Sequence, residues 1–251
     1  MPYVRAAALV AALVATLGDA AAKSNYCLTA DPPPTYVTAG YQGDMGYRLH
    51  QAGDQRILIA EGGIRAGESG RLASAIAAYA PVSEIWFNSP GGDANEGPLM
   101  GRVVRKQNLA VRIPNNFSCA SACTYAFLGG VVRSIDPGGS YGIHMFTGYG
   151  NNPQQYVSLM TAFVGVAAKR QELLKAGNKL GAVDNWTMGQ IKGFLRDIEQ
   201  RSAVRASAQA KFLVEMSASL EFMTDVFGTE ADGMCFLNAA GLRRYNVTNV
   251  M

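Results

Sequence analysis

Three short segments of this chain carry the residue types that acyl transfer needs, in a workable order. Asn88-Ser89-Pro90-Gly91-Gly92-Asp93 is a turn whose glycines expose backbone N–H groups without side-chain cover. Ser121 stands within Ser118-Cys119-Ala120-Ser121-Ala122-Cys123, and His144 within Tyr141-Gly142-Ile143-His144-Met145. A serine hydroxyl is a poor nucleophile until a base takes its proton. The chain has only two histidines. His50 precedes the first strong apolar run and reads as a surface or packing residue, which leaves His144 as the base. The N–H of Ala122 would face a developing oxyanion, and Gly92 would supply the second donor.

These residues need elements to hold them. Arg56 to Ala60 and Val82 to Phe87 read as apolar strands, the second running straight into the Pro90-Gly91-Gly92 turn. Leu109 to Ile113 and Val131 to Ile135 read as two more strands. Helical spacing marks Glu68 to Tyr79, with Leu72, Ile76 and Tyr79 on one face, and Ala94 to Lys106. Ser121 to Gly129 is a small-residue helix, so Ser121 sits at a helix start and gains from its positive end. Strands alternating with helices predict an α/β fold with a mainly parallel sheet. From Pro153 to Phe227 the pattern is almost wholly helical, broken near Gly177 to Asn185, and Ile191 to Phe222 is one long helix or two.

Bulk properties narrow the class. With 251 residues, 49% hydrophobic and 16% charged, the chain can bury a full core as one domain with an insertion. A net charge of +3, with Lys and Arg scattered, gives no case for a nucleic-acid partner. Residues 1–22 read as a secretory signal peptide: Arg5, an apolar run from Ala6 to Leu17, then Ala20-Ala21-Ala22 ahead of cleavage before Lys23. The mature chain would then be exported, periplasmic or secreted, with no membrane segment left. Residues 23–55 read as an extended arm, Pro-rich at Asp31-Pro32-Pro33-Pro34, and 56–251 as the folded domain. Cys27, Cys119, Cys123 and Cys235 survive cleavage, an even number in an oxidising compartment. Three pairings are open. Cys119 and Cys123 are one helical turn apart, where disulfide geometry is demanding. Cys27–Cys235 is favoured, since it would tie the two ends. No ligand spacing for a metal is present, and no cofactor is expected.

The run Asn-Ser-Pro-Gly-Gly, then Ala-Ser-Ala heading a small-residue helix, then Gly-Ile-His, resembles the Clp protease proteolytic subunit of the ClpP/crotonase superfamily. The 29 residues from Gly92 to Ser121 and the 23 from Ser121 to His144 match that pattern. Phe236-Leu237-Asn238-Ala239-Ala240 with Tyr245-Asn246-Val247 is similar to its closing element. The resemblance covers roughly Arg56 to Gly150 and the last 20 residues. It implies repeated ββα units, Ser121 as nucleophile, His144 as general base, and Gly92 and Ala122 as oxyanion donors. The family's acidic third member falls here on Met234, with Asp232 two residues earlier as the candidate carboxylate. The 88 residues from His144 to Asp232 imply a helical insertion at about 155–205. That insertion puts the family's stacked rings in doubt while still allowing a homo-oligomer. The expected function is an exported serine peptidase acting on peptide or protein. The alternatives are an inactive binding or scaffold protein, an acyl-CoA enzyme of the crotonase branch, and a small-molecule esterase or amidase.

Overall fold

The computed structural model of the chain describes residues 25–28, 43–146 and 153–250. The expected signal peptide, its expected cleavage point and the Pro-rich run at 31–34 lie outside the described residues. Strands β1 (Gly46–Ala52), β2 (Gln55–Glu61), β3 (Glu84–Asn88), β4 (Ala110–Ile113) and β6 (Arg133–Ile135) form one sheet in the order β1-β2-β3-β4-β6. Only β1 runs antiparallel to its neighbour. Strands β5 (Ser118–Ala120), β7 (Ser140–Ile143) and β8 (Cys235–Phe236) form a second sheet, with β5 and β7 parallel and β8 antiparallel. The fold is therefore mixed α/β with a mostly parallel sheet. The described helices are α1 (Glu68–Ala78), α2 (Glu96–Lys106), α3 (Ala122–Leu128), α4 (Pro153–Lys175), α5 (Leu180–Glu215), α6 (Phe222–Gly228) and α7 (Ala239–Arg244).

Alternation along the strands decides the layers. Leu58, Ala60, Ile85, Phe87, Val111 and Ile113 all enter the main core. Leu72, Ala75 and Ile76 of α1 and Met100 and Val104 of α2 pack into the same core. On the opposite face Ile59 pairs with Trp86, which lies 5.3 Å from the His50 ring and 6.4 Å from Phe117. His50 is thus a surface packing residue. Glu96, at the start of α2, accepts hydrogen bonds from Gly67 and Ser69 at 2.8 and 2.9 Å and so caps α1 in trans.

Two stretches differ from the sequence reading. The sheet begins at Gly46, so the arm assigned to residues 23–55 contains β1. Its exposed Arg48 and His50 made that strand look like a polar approach. The helical insertion is a hairpin wider than 155–205: α4 and α5 together run from Pro153 to Glu215, and the long helix ends there before a separate α6.

The small residues of α3 have a packing reason. A Cβ on Gly101 would stand 2.6 Å from the Tyr125 carbonyl, and one on Gly97 would overlap the Ala122 carbonyl. Helices α2 and α3 therefore cross with their backbones touching. This fixes where α3 starts, and Ser121 is the residue just before that start.

Candidate active site

The two sheets meet at the Asn88–Asp93 turn. Ser89 bridges to Cys119: its N–H donates to the Ser118 carbonyl at 2.7 Å, and Ala120 N–H donates back to Ser89 at 2.9 Å. Asn88 fastens the junction from both sides. Its amide donates to Glu61 at 2.9 Å, and its carbonyl oxygen accepts from Ser118 N–H at 3.1 Å. The sequence marked this turn for its glycines only. The work of Asn88 was not legible, because its partners are 27 and 30 residues away.

Next the turn runs beside the β2 extension. Ile64 N–H donates to the Gly91 carbonyl at 2.8 Å, and Asp93 N–H donates to the Ile64 carbonyl at 2.9 Å. Gly92 is the bridging residue between those bonds, so its own N–H points away from Ile64. Gly92 has φ 143°, and a Cβ there would overlap the Ile64 carbonyl. At Gly91, φ 93°, a Cβ would stand 2.6 Å from Ser121 Cβ and 2.8 Å from Ala122 N. Glycine is required at both places, for backbone conformation and for space. The turn lies directly against Ser121 and Ala122.

Ser121 closes β5 and opens α3. Its N–H continues the ladder to the Gly142 carbonyl at 2.9 Å, and its carbonyl accepts from Thr124 N–H at 3.0 Å and from the Thr124 hydroxyl. Its φ of 55° and ψ of −125° place a non-glycine residue in a sparsely populated region, at a cost on the order of 1–3 kcal/mol. Serine on a strained strand-to-helix corner is the local device of a nucleophile elbow, which lifts the hydroxyl clear of the helix. Accordingly Ser121 does not cap α3 with its side chain. Ala122 is the first residue of α3, so its N–H has no intrahelical acceptor.

His144 follows β7 as Ser121 follows β5. The two strands pair in parallel, Cys119 with Tyr141 and Ala120 with Gly142. Serine and histidine therefore leave the carboxyl ends of neighbouring strands, which stand about 4.8 Å apart. His144 is half-buried. Burial pushes its pKa below the ordinary histidine value, and backbone carbonyls of Ala231 and Met145 oppose that in part. Although the Ala231 carbonyl lies toward the ring, Nδ1 is buried without a hydrogen bond of normal geometry. Beyond it, Phe146 packs edge-on against Phe227 at 5.7 Å, and Arg205 of α5 lies over Phe146.

The third position is different. Gly142 pairs with Phe236 and Ile143 with Cys235, where the ladder ends, and Met234 is the residue just before β8. Met234 Sδ fills the space beside Gly142. Asp232 is exposed and makes no ion pair or hydrogen bond among the described residues. The structure thus sets Ser121 and His144 just past the paired strands β5 and β7, with Gly91 of the turn against Ser121 and Ala122, and leaves Asp232 exposed.

Both cysteine pairs are disulfides. Cys27 joins Cys235 with Cα atoms 5.1 Å apart, and Cys119 joins Cys123 at 5.3 Å, flanking Ser121 on both sides. Among the described residues no group of three His, Cys, Asp or Glu side chains could hold a metal ion.

No family model and no curated protein matches this chain. Among solved structures it is similar to a point mutant of ClpP1 from Listeria monocytogenes, with a TM-score of 0.46 and 16% identity, over 78% of this chain and 90% of that one.

Proposed function

We propose that this chain is an exported serine hydrolase that cleaves peptide bonds with a Ser121–His144 pair. The observation that carries the reading is the corner at Ser121: a strained serine between β5 and α3, with Gly91 of the glycine turn packed against it and the Ala122 N–H at the open start of α3. With Nδ1 buried, Nε2 is the nitrogen left to take the Ser121 proton. Ser121 Oγ attacks the scissile carbonyl, and the two amides receive the oxyanion. The imidazolium then protonates the leaving amine, and water attacks the acyl-enzyme with His144 again as base. No serine–histidine hydrogen bond is present, and such bonds are often long until substrate binds.

Export is supported by the leader-like residues 1–22 and by two disulfides, which persist in oxidising compartments. No helix of the described residues is long and apolar enough to cross a membrane. Exposed Val157, Met160, Val164, Met188 and Leu195 on the hairpin support a homo-oligomer.

One observation favours a second reading, an inactive binding or scaffold protein: His144 Nδ1 is buried with no carboxylate bonded to it among the described residues. Labelling of the purified protein by a fluorophosphonate decides between the two. Labelling of wild type that is lost in Ser121→Ala and His144→Ala is the expected result. No labelling of wild type would leave the scaffold. Hydrolysis of short esters with no peptide cleaved would move the substrate to small molecules.

A further inference from the structure

Resting on the hydrolase reading, we propose that the Cys119–Cys123 disulfide is a positioning clamp that holds the Ser121 hydroxyl in its reactive orientation. A serine preceding a helix ordinarily takes a negative φ and turns its hydroxyl onto the N–H of the second or third helical residue. That conformation is the natural competitor of the one seen here. Ser121 instead has φ 55° and gives α3 no side-chain cap. Something other than the serine must join the strand to the first helical turn.

The disulfide makes that join. Cys119 is the central residue of β5 and Cys123 is the second residue of α3. The bond therefore spans from the strand to the residue whose N–H an ordinary cap would satisfy. Both cysteines are fully buried, so the link is part of the core and not a surface tether. The strand side is already fixed by the Ser118–Ser140, Cys119–Tyr141 and Ala120–Gly142 pairs and by Ser89. Ser121 itself is tied to β7 by its N–H on the Gly142 carbonyl, and to α3 by its carbonyl, which accepts from Thr124. A five-residue ring closed by sulfur leaves the intervening Ala120-Ser121-Ala122 backbone little room to rotate into the capping conformation. Opened, the corner relaxes: φ of Ser121 turns negative, the hydroxyl bonds to the helix, and the nucleophile is withdrawn while the fold stays.

The reduction used to test this is balanced. A small dithiol donates two electrons and two protons, Cys119 and Cys123 become thiols, and the reagent closes to its own cyclic disulfide. The full mature protein is treated with graded dithiol, and the fraction of intact Cys119–Cys123 is read by thiol trapping and peptide mapping. Fluorophosphonate labelling, kcat and KM on a short ester, and amide exchange at 121–124 are followed on the same samples, beside Cys119→Ala/Cys123→Ala. Opening the bond is expected to lower kcat and the labelling rate by about 10²-fold, the usual cost of a small misplacement. KM should hold, exchange at 121–124 should quicken, and reoxidation should restore the rate. A disulfide that served only stability would not move kcat alone in a folded protein. Unchanged kcat and unchanged exchange after complete opening would overturn the clamp. If the double variant does not fold, partly reduced wild type still gives the answer. If oxidised wild type never labels, the hydrolase reading fails, and the exchange data alone judge whether the bond holds the corner.

Discussion

The glycines of the Ser121 corner and those of the helical hairpin are the same residue used in opposite ways. At Gly91 and Gly92 a single added carbon meets backbone or Ser121. At Gly165 of α4 and Gly181, Gly189 and Gly193 of α5 it meets nothing within 4 Å. In the corner, the missing side chain lets two backbones touch. In the hairpin, it only costs helix stability. Only the structure separates the two sets.

The comparison breaks or sharpens by substitution. Gly92→Ala is expected to have the largest effect: fluorophosphonate labelling lost and soluble yield reduced, since φ 143° and the Ile64 carbonyl both oppose a side chain. A Gly92→Ala protein that folds and labels like wild type would remove the turn from the site. Acid is the next probe of the corner. Burial lowers the His144 pKa, so labelling should rise with pH through a midpoint below the ordinary value of about 6.5. The native state prefers the neutral ring, so its stability should fall as pH drops from about 6.5 toward that lower value. A rate limb above the ordinary value would mean a partner for Nδ1 that the structure does not contain.

On the hairpin the sign reverses. Gly189→Ala is expected to raise stability by about 1 kcal/mol, read as a higher Tm, with labelling unchanged. A lower Tm would place an unseen surface against α5. The smallest effect is expected at Asp232→Asn, which should leave kcat near wild type, because the carboxylate is exposed and unbonded. A loss on the order of 10⁴ would instead put Asp232 at Nδ1 in the working enzyme.

Sequence reading reached the parts governed by short-range rules. The apolar strands, the Pro-Gly-Gly turn, Ser121 at a helix start, and Cys27 with Cys235 were all legible in residue order and spacing. Strand β1 escaped because an edge strand with one solvated face carries Arg48 and His50, which look like loop. Strand β5 escaped because three residues set no period. The Cys119–Cys123 bond was open from spacing alone, since one helical turn permits it only when the strand ends between the two cysteines. Met234 beside Gly142 depends on the β7–β8 pairing, a contact across about ninety residues that no local pattern encodes.

That same register sets the order in which the scaffold around His144 is completed. His144 leaves a strand whose outer neighbour is β8, and β8 is covalently joined to Cys27. During synthesis Ser121 and His144 both emerge well before Cys235. The histidine strand gains its flank only when that late segment arrives, and the Cys27 bond forms only where thiols are oxidised. A chain still on the ribosome, or still in a reducing compartment, therefore carries every reacting group without the finished scaffold. The flank of the His144 strand is thus completed only when the whole chain has been made and Cys27 and Cys235 have been oxidised together.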